Sequence, residues 1–157
     1  MGMIVMQFVG NDSWGSRLIK WFDHGDYSHV DTVMPDGSLL GARNNVISGI
    51  PAGVQIRPAS YVEGYISKRV SIPCADSQAD VYYDFVQTQI GKPYDQLAIV
   101  AFAIGRNWRN DSAWFCSELN SSALEKSGVV NRLIAPANKI APNGLLLVLS
   151  ALVQINE

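Results

Sequence analysis

The chain is poor in the residues from which disulfide frameworks and metal centres are built. Its 157 residues include two cysteines, Cys74 and Cys116, and two histidines, His24 and His29. Two cysteines make no disulfide framework, and neither histidine sits beside a cysteine pair, so no structural zinc site is expected. Charge is sparse as well: 17% of residues are charged, the formal net charge is −2, and there is no basic block. Nucleic acid is therefore a poor partner. The longest apolar runs, "LAIVAFAI" and "LLLVLSALV", fall well short of the roughly 20 residues that span a bilayer, so stable membrane insertion is not expected. No phosphate-cradling glycine loop, zincin helix or paired-carboxylate motif occurs, and no cofactor is expected. The amino terminus, "MGMIVMQFVGND", has neither a basic segment nor a cleavage site. It reads as a first strand, and the chain as soluble and cytoplasmic as synthesised.

What is present points to one folded domain over residues 1–157, since 48% of residues are hydrophobic and the length suits a single core. The first strand is followed by a helix capped by Ser13, with Trp14, Leu18, Ile19 and Phe22 at helical spacing. "SHVDTVM", the turn "PDG" and "SLLGAR" form a hairpin. "VQIRP" and "YISKRVSIP" read as further strands. "DSQADVYYDFVQTQIG" is a helix opening at Asp76 or Ser77 and closing on Gly91. An apolar helix is expected at about 96–105, then a cysteine-led helix ending at Gly128 and a last apolar element. Strands early and helices late indicate an α+β domain.

Two stretches carry candidate chemistry: "WFCSELNSSALEKSG" (Trp114 to Gly128) and "YSHVDTVMPDGSLLGAR" (Tyr27 to Arg43). A cysteine at a helix N-terminus lies where free N–H groups and the helix dipole favour its thiolate. The same N–H groups suit the oxyanion of a tetrahedral intermediate. Asp111 and Ser112 are the expected caps. A histidine is the natural proton acceptor, and His29, at the start of a strand, is better placed than His24 in a polar loop. The residue types alone also fit two ordinary packed side chains. Cys74, at a strand end, reads as structural.

In this order, "YSHVDTVMPDGSLLGAR", "GKPYD" and "WFCSELNSSALEKSG" resemble the circularly permuted branch of the NlpC-type cell-wall peptidase superfamily. These are papain-like cysteine hydrolases, and the branch includes YiiX-like proteins and relatives of lecithin retinol acyltransferase. The resemblance implies an antiparallel sheet packed against helices, with Cys116 as nucleophile and His29 as base. Tyr94 of "GKPYD" matches a tyrosine near the cleft, for which a packing role serves equally well. Trp114, beside the cysteine, is counted with the substrate-contacting residues. Glu118 is a recurrent family residue, read here as structural.

The third catalytic position departs from the family. With "PDG" as the turn, Met34 pairs with Ser38 and Asp31 with Gly41, and the family's polar orienting residue falls on Gly41. Asp31 lies two residues from His29 and so shares its face. It is either the relocated orienting acid of a triad or a solvated hairpin carboxylate. Arg43 and Asn44 lie across from His29 and are candidates to contact a substrate carboxylate or carbonyl.

The expected function is a thiol hydrolase, a peptidase or amidase working through an acyl-enzyme, on peptidoglycan peptides or acyl lipids. A cell-wall enzyme without an export signal would need a phage tail, an injection device or lysis to deliver it, and compact domains of this kind occur in phage and prophage genomes. The alternatives are an acyltransferase or lipid esterase, and a non-catalytic peptide- or lipid-binding module of the same fold. The oligomeric state is left open.

Overall fold

The computed structural model describes residues 1–10, 24–46, 49–95, 113–131, 133 and 140–153. The expected Ser13 helix, the helix at 96–105 and the caps Asp111 and Ser112 lie outside these residues. Five strands are described: β1 (Gly2–Gly10), β2 (His29–Val33), β3 (Leu39–Arg43), β4 (Gly53–Arg57) and β5 (Ile66–Cys74). They form one antiparallel sheet in the order β4-β3-β2-β1-β5. Three helices follow in sequence: α1 (Asp76–Thr88), α2 (Cys116–Lys126) and α3 (Pro142–Leu152). The domain is α+β, as the sequence indicates.

The hairpin forms where the turn residues place it. Gly37 adopts φ 85°, a left-handed conformation that glycine enters without steric cost. Its N–H donates to the Met34 carbonyl, and the Met34 N–H to the Ser38 carbonyl, both at 2.8 Å. Asp36 accepts from the Ser38 N–H and hydroxyl, closing the turn. This fixes the register at Val33↔Leu39 and Thr32↔Leu40. β5 is an edge strand, which tolerates Pro73 within it.

Period-two alternation gives the sheet two different faces. Ile4, Met6, Phe8, Val30, Leu40, Ala42, Val54 and Ile72 are buried in the core with Tyr82, Val86, Leu119, Leu124, Leu145 and Leu149 of the helices. The intervening positions carry Gln7, His29, Asp31, Arg43, Gln55 and Arg57, all buried. The register aligns Gln7 with Asp31, Gly41 with Gln55 and Leu39 with Arg57. The polar residues thus occupy one face.

A buried triangle fastens α2 to the histidine strand. Thr32 Oγ1 and Tyr82 Oη lie 2.9 and 2.7 Å from Asn120 Oδ1 and 2.9 Å from each other. Asn120 Nδ2 donates to the Cys116 carbonyl at 2.8 Å. The two stretches carrying Cys116 and His29 are therefore tied together through the core, by groups that would each be costly to bury unpaired. Among the described residues no helix is long and apolar enough to cross a membrane.

Candidate active site

Cys116 is the first residue of α2, and Phe115 is the N-cap, without a side-chain capping bond. The expectation of an Asp or Ser cap at 111 or 112 is thereby corrected: the helix starts directly at the cysteine, one residue after an apolar cap. The backbone N–H groups of Val30 and Ser117 act on the Cys116 thiol, each favouring its ionised form. Val30 is the neighbour of His29, and α2 packs on both β2 and β3. The nucleophile candidate therefore meets the histidine strand at the end where the short β2–β3 ladder has stopped.

His29 Nε2 lies 2.5 Å from Asp31 Oδ1, with both side chains buried. Asp31 Oδ2 is held by Arg43 Nη2 at 3.1 Å and by the Tyr61 hydroxyl. The same Arg43 nitrogen approaches Tyr61 Oη, and the guanidinium stacks over the Tyr61 ring, 4.4 Å from its centroid. Asp31 is not a solvated hairpin carboxylate: it is 2% exposed and held on both oxygens.

Gly41 makes this arrangement possible. A Cβ built there would overlap Asp31 Oδ1 and come within 3.4 Å of His29 Nε2. The position where the family resemblance places an orienting side chain is filled by the carboxylate of the strand opposite.

Electrostatics set both members of the pair neutral at rest. Burial first, and then the Arg43 charge, push His29 down to about 4. Burial also raises the Asp31 carboxyl, but the His29 and Arg43 interactions outweigh it and hold the pKa below the usual carboxylate value. At neutral pH the imidazole is uncharged, and Arg43, the hydrogen bond from His29 and the Arg57 charge keep Asp31 ionised. With an ionised Asp31, Nε2 carries the proton and Nδ1 is left as the basic nitrogen. Burial raises Cys116 to about 12, although the Val30 N–H, Arg43 and the Ser117 N–H all act to lower it. The helix N-terminus does favour the thiolate, as expected from the sequence. Burial outweighs it, and the resting group is a thiol.

Other candidates fall into place around these. The Tyr94 hydroxyl is raised well above its ordinary value by burial and then by Cys116, with Arg43 opposing. Its ring lies 6.0 Å from that of Phe115. Trp114 bridges to Tyr94 through the backbone, but its indole N–H donates to Gln89 and its ring packs edge-on against Phe85. That ring thus packs against α1. Asn44 is exposed, and Glu118 is buried in the first turn of α2. Tyr61 and Arg57 were missed from sequence. Alternation along "GVQIR" would have placed Gln55 and Arg57 on the Asp31 face, whereas nothing in "PASYV" marks Tyr61.

No family model matches the chain, and no curated protein sequence does. Among solved structures it is similar to the crystal structure of the metalloprotein YiiX from Escherichia coli O157:H7. The TM-score is 0.56 at 20% identity, over 82% of this chain and 67% of that one. Whatever metal that protein holds, here no group of three or more His, Cys, Asp or Glu able to hold an ion occurs among the described residues. Asp31 is already committed to His29, Arg43 and Tyr61. The donor set among the described residues does not fit a metal. The chain has the YiiX-like fold, a circularly permuted papain-like arrangement in which the histidine strand precedes the cysteine helix.

Proposed function

We propose that the protein is a cysteine hydrolase acting on amide or ester bonds through an acyl-enzyme, with Cys116 as nucleophile, His29 as base and Asp31 as the acid that orients it. The observation that carries this reading is the buried His29–Asp31 pair at 2.5 Å, clamped by Arg43 and Tyr61, on the strand against which the cysteine-led helix packs.

The chemistry runs from neutral partners. His29 Nδ1 takes the Cys116 proton as the sulfur bonds to the carbonyl carbon, and the carbonyl electron pair becomes an oxyanion. Free N–H groups at the start of α2 stabilise that charge. Collapse expels the amine or alcohol, which leaves with the proton from His29. Water then repeats the sequence on the thioester: His29 takes its proton, hydroxide adds, and the thiol departs reprotonated. Asp31 holds the ring tautomer throughout and stabilises the imidazolium that forms transiently. The family resemblance favours peptidoglycan peptides as substrate, with acyl lipids as the other class.

The test is intact-mass spectrometry of the Cys74→Ser protein exposed to p-nitrophenyl acetate and to peptide thioesters. An acyl adduct on Cys116, absent in Cys116→Ala, supports the hydrolase. The closed, neutral thiol favours one other reading, a binding module of the same fold, and a Cys116 that takes no acyl group would leave that one standing.

A further inference from the structure

Four buried side-chain polar atoms lack a hydrogen-bond partner among the described residues, and three of them belong to neighbours on the polar sheet face: Arg43 Nε, Gln55 Oε1 and Arg57 Nε. Gln55 faces Gly41 across the ladder, and Arg57 faces Leu39. Both guanidinium groups flank the Tyr61 ring, Arg43 at 4.4 Å and Arg57 at 5.4 Å from its centroid. We propose that Arg57, with Arg43 and Gln55, forms a subsite for a peptide bearing a free carboxylate next to an amide N–H, so that the hydrolase acts on acidic peptides.

The charge balance argues for an anion. Arg43 has Asp31 as its partner, whereas Arg57 has no carboxylate among the described residues. Arg57 is 2% exposed, and its acceptors are neutral ones on exposed Asn45: the carbonyl at 3.1 Å and Oδ1 at 3.4 and 3.5 Å. Two guanidinium charges thus face one carboxylate, with His29 uncharged. Burial and then the Arg43 charge depress Arg57 to about 10, with the Asp31 charge opposing. A buried charge is retained at a cost unless something pairs with it, and a guanidinium fork matches a carboxylate in two-point geometry.

Gln55 supplies the second half of the specification. Its Nε2 donates to the Pro51 carbonyl at 3.0 Å, which fixes the amide's orientation and leaves Oε1 as a bare acceptor. A carboxylate alone would not satisfy it; an adjacent peptide N–H would. The Asn45 contacts place the Arg57 head group beside the exposed loop, from which a ligand would enter.

This inference deepens the hydrolase reading and rests on it for the word substrate, but its atoms are separate and its test needs no turnover. In the full-length Cys116→Ala protein, binding of N-acetyl-alanyl-alanine and of its C-terminal amide is measured by NMR titration, together with Arg57→Gln and Arg57→Lys. The acid is expected to bind at least tenfold more tightly than the amide. The ratio should fall to within twofold in Arg57→Gln and to an intermediate value in Arg57→Lys. Equal affinities in the parent protein would overturn the subsite, whether or not the variants fold, and so would a preference unchanged in Arg57→Gln. An acid preference in a protein that forms no acyl adduct would keep the subsite and remove the hydrolase. An adduct without acid preference would do the reverse.

Discussion

The Asp31 carboxylate lies over the Cα of Gly41, in the space that any other side chain at that position would occupy. The absence of a side chain at 41 and the acid at 31 are sterically coupled. A swap should therefore restore what single changes destroy. Asp31→Ser and Gly41→Asn should each lower acylation of Cys116 by about a hundredfold or more. The double variant, with a polar group placed on strand β3, should exceed both. A stopped-flow double-mutant cycle measures this directly. A double variant no better than the worse single one would show that Gly41 and Asp31 are uncoupled.

Gly41→Ala isolates the steric half. The added methyl must displace Asp31 Oδ1, and overpacking of this kind typically costs about 1–3 kcal/mol. Chemical denaturation should show that loss. The Asp31-dependent part of the acylation rate should disappear with it.

The neutral state of His29 should be visible in stability against pH. An unfolded histidine takes up its proton near 6.5, whereas the folded one waits until about 4. As pH falls between those values the unfolded state binds the extra proton, so folding weakens; above about 6.5 the contribution is fully present. The full effect is on the order of 3 kcal/mol. Asp31, lowered below the ordinary carboxylate value, adds stability that is lost only at still lower pH. Urea unfolding at pH 7, 6 and 5 should therefore show a decline that His29→Gln abolishes. The same slope in His29→Gln would assign it to other groups.

Asn120 links the two halves of the site through Thr32, Tyr82 and the Cys116 carbonyl. Asn120→Leu would leave the buried Thr32 and Tyr82 hydroxyls only each other as partners, at a cost of about 1–3 kcal/mol. Thermal denaturation should register the loss, and Cys116 acylation should slow because α2 is no longer fixed to β2. An unchanged melting temperature would contradict the network's role.

The hairpin, the register and the pairing of Asp31 with His29 were legible because turn chemistry and period-two alternation are local rules. "PDG" sets the turn, and everything on β2 and β3 follows from it. The start of α2 at Cys116 was legible for the same reason, but its cap was not, because Phe115 makes no side-chain bond that a sequence could advertise. Tyr61 escaped because it reaches Asp31 from a short 3-10 turn (Ala59–Val62), a contact set by tertiary packing. The charge state of Cys116 was not legible for a related reason. A helix N-terminus is visible in sequence, whereas the burial that outweighs it is a property of the assembled core.

The most direct test of the central claim is the pH profile of Cys116 acylation by p-nitrophenyl acetate under single-turnover conditions, in Cys74→Ser with and without His29→Ala. If a neutral His29 held by Asp31 removes the thiol proton, the rate should level off above about pH 4 and fall by at least about a hundredfold without His29. A rate that climbs about tenfold per pH unit toward an elevated thiol pKa, the same with or without His29, would contradict it.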